Sequence, residues 1–255
     1  MTLHRKPPQT RLYISQPFAQ DEEILLDEKQ CHYLANVMRY GTGDLVSVFN
    51  GQDGEWNAEI VSVTKKKIML TLIASSKPQK ASPDLWLVAA PLRSGKTEFV
   101  VEKATELGIS RFTPISTQFT VANSVNQSRL EATAIEAAEQ CERMDIPVIE
   151  PLMPLDKLLG KWDKSRTIVY GDESGAGKEA KTLLPDLPHG KYAVMVGPEG
   201  GFAKSELEIL RGLDYTAGLS MGPRILRADT AAIAAVTLLQ SWLGDWSDKP
   251  SFRNK

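Results

Sequence analysis

With 255 residues, 42% hydrophobic and 24% charged, the chain can bury one large core or two smaller ones. No apolar run reaches the roughly 18 residues that a membrane helix requires, so no membrane partner is expected. A net charge of −2 speaks against a protein that coats polyanions indiscriminately.

The start, MTLHRKPPQTRLYI, is basic but lacks the apolar stretch of a secretory signal. Residues 1–75 then predict a β-rich block. RLYIS (11–15), LVSVFNG (45–51), EWNAEIVSV (55–63) and KIMLTLIA (67–74) are short runs rich in β-branched and aromatic residues. Gly, Asn and Asp punctuate them at 41–44 and 50–54. One helix is expected over EKQCHYLANVMRY (28–40), with Cys31, Leu34, Val37 and Met38 at helical spacing. The pattern suggests a small barrel or sandwich, and SSKPQKASPD (75–84) has the composition of a linker.

Beyond residue 76 the rhythm becomes strand, helix, strand. DLWLVAA (84–90), RFTPIST (111–117), RTIVYGDE (166–173), YAVMVGPEGG (192–201) and AGLSMG (217–222) read as strands. TEFVVEKATELG (97–108) reads as a helix closed by Gly108. SRLEATAIEAAEQCERM (128–144) and the apolar TAAIAAVTLLQSWLG (230–244) are further helices. KSELEILRG (204–212) is expected to start with Ser205 as N-cap and Glu208 completing a capping box. Alternating elements imply a mostly parallel sheet with helices on both faces, hence two domains, 1–75 and 76–255.

Cys31 and Cys141 form no CxxC pair, which predicts reduced thiols and a cytoplasmic location. His4, His32 and His189 have no metal-ligand spacing, so no metal site is expected. Residues 1–130 carry 15 Lys/Arg against 13 Asp/Glu and the remainder 15 against 19, a weak asymmetry that composition alone does not assign to RNA.

Within LVAAPLRSGKTEF (87–99), Gly95-Lys96-Thr97 opens a helix, with Ala90 where the first glycine of a phosphate loop would stand. A nucleotide triphosphatase is therefore one reading. Against it, Pro91 removes a backbone donor, Ala90 lacks the freedom of glycine, and Glu98, Glu102 and Glu106 would repel a polyphosphate. Asp172 follows its strand too awkwardly to hold Mg²⁺. The preferred role is a basic loop, with Arg93 and Lys96, at the carboxyl edge of the sheet. A non-catalytic RNA-binding protein is the third reading.

Two stretches carry more chemistry. VMVGPEGGF (194–202) is a glycine cluster after an apolar strand, where open α/β sheets place ligands. LSMGPRILRADTAAIAAV (219–236) pairs a Gly-Pro turn with Arg224 and Arg227, for which Asp229 is a candidate partner if the loop is buried. Together they resemble the RsmE family, the ribosomal RNA uridine-N3 methyltransferases of the SPOUT class. EKATELGIS (102–110), EAAEQCERMDIPVIEP (136–151) and CHYLANVMRYGTGDLVSVFNG (31–51) extend the resemblance over nearly the whole chain. Met221, Asp229 and Glu102 stand where that family commonly has Leu, Glu and Gln.

The resemblance implies an N-terminal PUA-like β-barrel that binds RNA. It implies a carboxyl-terminal SPOUT α/β domain with a deep trefoil knot holding S-adenosyl-L-methionine, and a homodimer acting on small-subunit ribosomal RNA or the assembled 30S subunit. A sulfonium donor calls for backbone hydrogen bonds and apolar walls. Val196, Gly197, Pro198, Glu199, Gly200 and Gly201 form one such bend. Leu219, Ser220, Met221 and Gly222, followed by Ile225 and Leu226, form the other. Uracil N3 must lose a proton, so a guanidinium is wanted to steady the developing anion: Arg227 first, Arg93 in reserve. Glu199 and Asp229 are candidate bases by position. Arg11, Arg39, Lys96, Arg143 and Arg224 are the expected RNA contacts.

Overall fold

A computed structural model describes residues 8–64, 67–188 and 190–249; the first seven residues, His4 among them, and His189 lie outside these ranges. It divides into two compact units. One takes the described residues up to Ala81 together with Ala138–Asp145, and the other takes Ser82–Ala137 with the described residues from Ile146 on.

The first unit holds β1 (Arg11–Tyr13), β2 (Glu23–Leu25), α1 (Glu28–His32), β3 (Leu45–Phe49), β4 (Glu55–Val63) and β5 (Ile68–Lys77). The sheet runs β1-β3-β4-β5-β2, antiparallel except for β1, which lies parallel to β3. Period-two alternation sends Ile68, Leu70 and Leu72 inward against Val46, Val48 and Ile60. Three register shifts between β4 and β5 add curl. The outcome is a curled half-barrel, in keeping with the expected barrel-like unit, whose edges are two three-residue strands not paired with each other. β2 escaped the sequence reading because only Ile24 in it is buried. Ser75–Lys77, expected in the linker, continues β5 because Ser75 and Lys77 pair with Trp56 and Glu55.

The helix expected over 28–40 is shorter and of two kinds. Asp27 and Gln30 cap α1 reciprocally, and a π-turn then runs over Tyr33–Val37. Leu34 is buried but Val37 is exposed, so the apolar stripe ends there, and Arg39 leaves the helix at φ +58°.

The second unit alternates as predicted: β6 (Leu85–Ala89), α2 (Lys96–Glu106), β7 (Arg111–Ser116), α3 (Gln127–Cys141), β8 (Val148–Ile149), β9 (Met153–Pro154), α4 (Leu155–Gly160) and β10 (Arg166–Gly171). There follow β11 (Lys178–Glu179), α5 (Ala180–Leu183), β12 (Lys191–Val196), α6 (Lys204–Arg211), β13 (Thr216–Ser220) and α7 (Ala228–Leu243). The last turn of α3 groups with the first unit. The sheet is parallel throughout, ordered β11-β13-β10-β12-β6-β7-β8, with β9 beside β7.

Both faces of this sheet are covered, which explains the near-continuous apolar runs. Leu85, Leu87, Val169, Val194 and Val196 face Val100, Val101, Ala232 and Val236 of α2 and α7. Val88, Ile168, Tyr170, Ala193 and Met195 face Leu155, Leu158, Leu207 and Leu210 of α4 and α6. α6 does not begin with Ser205 as N-cap. Ala203 takes that position, and its N–H donates to Glu206, which reaches back at 2.8 Å. Because every strand points the same way, the ends of β6, β10, β12 and β13 open along one edge, where both glycine-rich bends lie.

Candidate functional site

The Gly-Lys-Thr stretch lies at this edge, and its polar groups are engaged by the protein itself. Ser94 and Gly95 take successive left-handed conformations (φ +59° and +74°) and turn the chain into α2. The buried Thr97 hydroxyl accepts from the Leu92 N–H at 2.7 Å and donates to the Leu92 carbonyl at 3.0 Å. Lys96 pairs with Asp229 in the first turn of α7, N to O 2.9 Å. Its ammonium, with backbone N–H support from Thr230, holds the Asp229 carboxyl below the usual carboxylate range. Neither a free hydroxyl for Mg²⁺ nor a free lysine for phosphate remains. Lys96 is still about one-third exposed beside Asp229, so the pair leaves its expected RNA contact open as a proposal.

A small apolar cavity lies between this loop and the neighbouring bend, lined in part by Ala90, Leu92, Val100, Val196, Gly197 and Ala232. Its lining is almost wholly apolar and offers a phosphate no partner, and it has room for little more than one water-sized group.

The bend after β12 is built on buried Val196, Gly197 and Pro198, and it exposes Glu199 and Gly200. Gly201 has φ +71°, and the Phe202 N–H donates to Glu173 Oε1 at 3.0 Å. The bend after β13 starts with buried Leu219 and half-buried Ser220 and Met221, continues through exposed Gly222 at φ +97°, and includes half-buried Leu226. Ile225 is 95% exposed and stands clear of the wall it was expected to form. Arg224 and Arg227 are exposed, not held in a buried loop, and the partner of Asp229 is Lys96 rather than either arginine. Arg227 is the N-cap residue of α7, and Arg93 is exposed on the loop before α2. The structure thus places Arg93, Arg227 and Glu199 in solvent on loops along one edge.

β10 ends on a polar cluster that no sequence pattern announced. Asp172 is 5% exposed and accepts from the Ser174 N–H and hydroxyl and from Arg211 Nη2, at 3.0, 2.5 and 3.0 Å. Burial alone would raise its carboxyl, but the Ser174 and Arg211 hydrogen bonds bring it below its usual value. Ser174 and Arg211 lie 37 residues apart, a pairing that no local motif encodes. Among the described residues there is no cluster of three or more His, Cys, Asp or Glu fit to hold a metal.

Two expected RNA contacts in the first unit are corrected. Arg11 is 3% exposed: Nε donates to Glu55 at 2.6 Å, Nη1 to the Ala138 carbonyl and Nη2 to the Arg143 carbonyl, both at 2.9 Å. Its guanidinium also lies 4.2 Å from the Phe49 ring centre. A side chain so fully used is structural. Arg143 is largely buried and pairs with Asp145 at 2.9 Å. Arg39 remains exposed.

Comparison with known proteins agrees with this architecture. A family model for an RNA methyltransferase domain matches residues 79–240, and one for an RNA methyltransferase PUA domain matches 26–73. The chain is 34% identical over 230 residues to ribosomal RNA small subunit methyltransferase E of Rickettsia conorii, covering 89% of this chain and 93% of that protein. It is 33% identical to the protein of the same name from Bacillus subtilis, covering 83% and 87%. A structure from Legionella pneumophila holding the cofactor SAM superposes with TM-score 0.84 at 27% identity, covering 92% of this chain and 98% of that one. The second unit is therefore an α/β domain of the RNA methyltransferase class, with a PUA-type unit before it. The chain belongs to the ribosomal RNA small subunit methyltransferase E family.

Proposed function

We propose that this chain transfers the methyl group of S-adenosylmethionine to N3 of a uridine in small-subunit ribosomal RNA. The observation that carries this reading is the pair of bends ending β12 and β13, on either side of β10, whose sequences are the stretches resembling RsmE. Residues 1–75 serve RNA binding and 76–255 the transfer. The deep knot and the homodimer expected of the family belong to the same reading, as does action on free RNA or the 30S subunit. No helix among the described residues is long and apolar enough to cross a membrane, and a cytoplasmic location completes the proposal.

The residues present fit the donor. Met221 and Leu226, both half-buried, offer apolar surface, Leu219 beneath them belongs to the core, and nothing lies within 4 Å of where a Cβ on Gly222 would stand, so backbone is open there. The bends at 196–201 and 219–222, with Leu226, would hold it. When bound, S-adenosylmethionine supplies an electrophilic methyl group.

The chain's own groups do the rest. Arg227, at the head of α7, donates to the uracil oxygens as N3 loses its proton, and Arg93 adds a second cation. A donor held against the developing anion once RNA covers the site is worth about 3–4 kcal/mol of barrier. Glu199, exposed on the first bend, accepts the N3 proton. Arg39 and Arg224, both exposed, meet RNA phosphates. Incubation with labelled donor and small subunits lacking the modification should yield 3-methyluridine. An unlabelled product, with donor binding intact, would overturn the reaction assigned.

A further inference from the structure

The bend after β12 contains three glycines, and at Gly200 and Gly201 the space that a side chain would fill is already taken by neighbouring loops. A Cβ on Gly201 would lie 2.2 Å from Glu173 Oε1 and 3.1 Å from its Cδ. A Cβ on Gly200 would lie 3.1 Å from the Cβ of Phe119. The turn is thus gripped from two loops, one after β10 and one after β7. The grip has a polar component, because the same Glu173 oxygen accepts the Phe202 N–H at 3.0 Å. The loop carrying Glu173 is anchored next door, where buried Asp172 binds Ser174 and Arg211. On the other side, the Gln118 N–H donates to Glu206 Oε1 at 2.8 Å, tying the Phe119 loop to the first turn of α6.

We infer that Glu173 is a positioning residue: its carboxylate latches the Gly200-Gly201-Phe202 turn through the Phe202 N–H, presetting the bend that receives S-adenosylmethionine. The inference rests on the reading under Proposed function for the identity of the ligand, but not for the latch. Three features make the contact a latch. The acceptor is charged, which strengthens the hydrogen bond. The left-handed φ of Gly201 brings the Phe202 N–H onto that oxygen. Phe119 lies close against Gly200 in the same turn. Gly201 therefore serves two needs at once, a backbone conformation that L-residues rarely adopt and a vacancy for Glu173. Without the latch the turn samples other conformations, and affinity falls by the fraction of time the competent one is lost.

Three variants test this. Glu173→Ala should raise the Kd for S-adenosylmethionine, read by calorimetry, about tenfold, with kcat at saturating donor unchanged within about twofold. Glu173→Gln retains an oxygen acceptor and should restore most of the affinity. In the same series, Phe202 amide hydrogen exchange should speed up in the alanine variant and recover in the glutamine variant. Gly201→Ala should be strongly non-additive with Glu173→Ala in urea unfolding, because the alanine methyl enters the space the carboxylate leaves. Wild-type donor affinity in Glu173→Ala, or strict additivity in the cycle, would overturn the inference. A wild type that binds no donor would overturn the functional reading instead, while the exchange rates and the cycle would still decide whether the latch exists.

Discussion

Two turns lie side by side at the carboxyl edge of the same sheet, after β6 and β12, strands paired from Leu85 with Tyr192 to Ala89 with Val196. Both use left-handed backbone, at Ser94 and Gly95 in one and at Gly201 in the other. The first contains the residue types of a phosphate loop, yet its hydroxyl serves the Leu92 backbone and its lysine serves Asp229. The second contains no strongly ligating side chain except Glu199, and neighbouring loops close on it at Gly200 and Gly201; its role as the donor's bend is the one proposed above. The contrast teaches that a motif becomes a site only through the groups the fold leaves unengaged.

Substitutions on each side of this comparison should behave differently. The largest effect belongs to Arg227→Ala, which should lower methyl transfer about 10²–10³-fold while donor affinity stays at the wild-type value; wild-type turnover would remove Arg227 from the chemistry. Next, Gly201→Val should weaken donor binding by about 100-fold or more with the far-ultraviolet circular dichroism preserved. It places a β-branched side chain at positive φ and against Glu173. Undiminished affinity would mean that the second turn is not the cofactor turn.

On the first turn the effects should fall on stability. Thr97→Val leaves the buried Leu92 N–H without its acceptor and should cost about 1–3 kcal/mol in urea unfolding. The same variant should bind donor normally, and loss of donor binding without loss of stability would reverse the roles of the two turns. The smallest effect is the Lys96–Asp229 pair, part-exposed and worth less than about 1 kcal/mol. Lys96 holds the Asp229 carboxyl below its ordinary value, so the folded chain takes up that proton less readily than the unfolded one. The pair's contribution is present above the unfolded value near pH ~4 and is lost as pH falls through the depressed folded one. Urea midpoints followed downward in pH should drop more steeply for wild type than for Asp229→Asn; parallel curves would mean that the pair is energetically silent.

Elements whose signal is local were legible before the structure. EWNAEIVSV coincides with β4 residue for residue, because alternation and the flanking Asn, Asp and Gly all lie within one window. The parallel sheet followed from alternating strands and helices, and the two bends from glycine after an apolar strand. The start of α6 was misplaced because Ser205 looks like a cap. The cap backbone that finds an acceptor belongs to Ala203, which has no polar side chain to reveal it. Arg11 looked like a surface cation because its partners, Glu55 and the carbonyls of Ala138 and Arg143, lie 44, 127 and 132 residues away.

Periodicity and turn chemistry, acting over a few residues, were enough for the sequence alone to set strand direction, element order and the position of both bends. Which polar groups remained available was decided only by tertiary structure. The Lys96–Asp229 pair, the Asp172–Arg211 cluster and the Glu173 contact with Phe202 each join segments remote in sequence. Hydrogen bonds saturate: once the fold supplies Thr97 and Arg11 with near partners, those side chains have little left to offer a ligand.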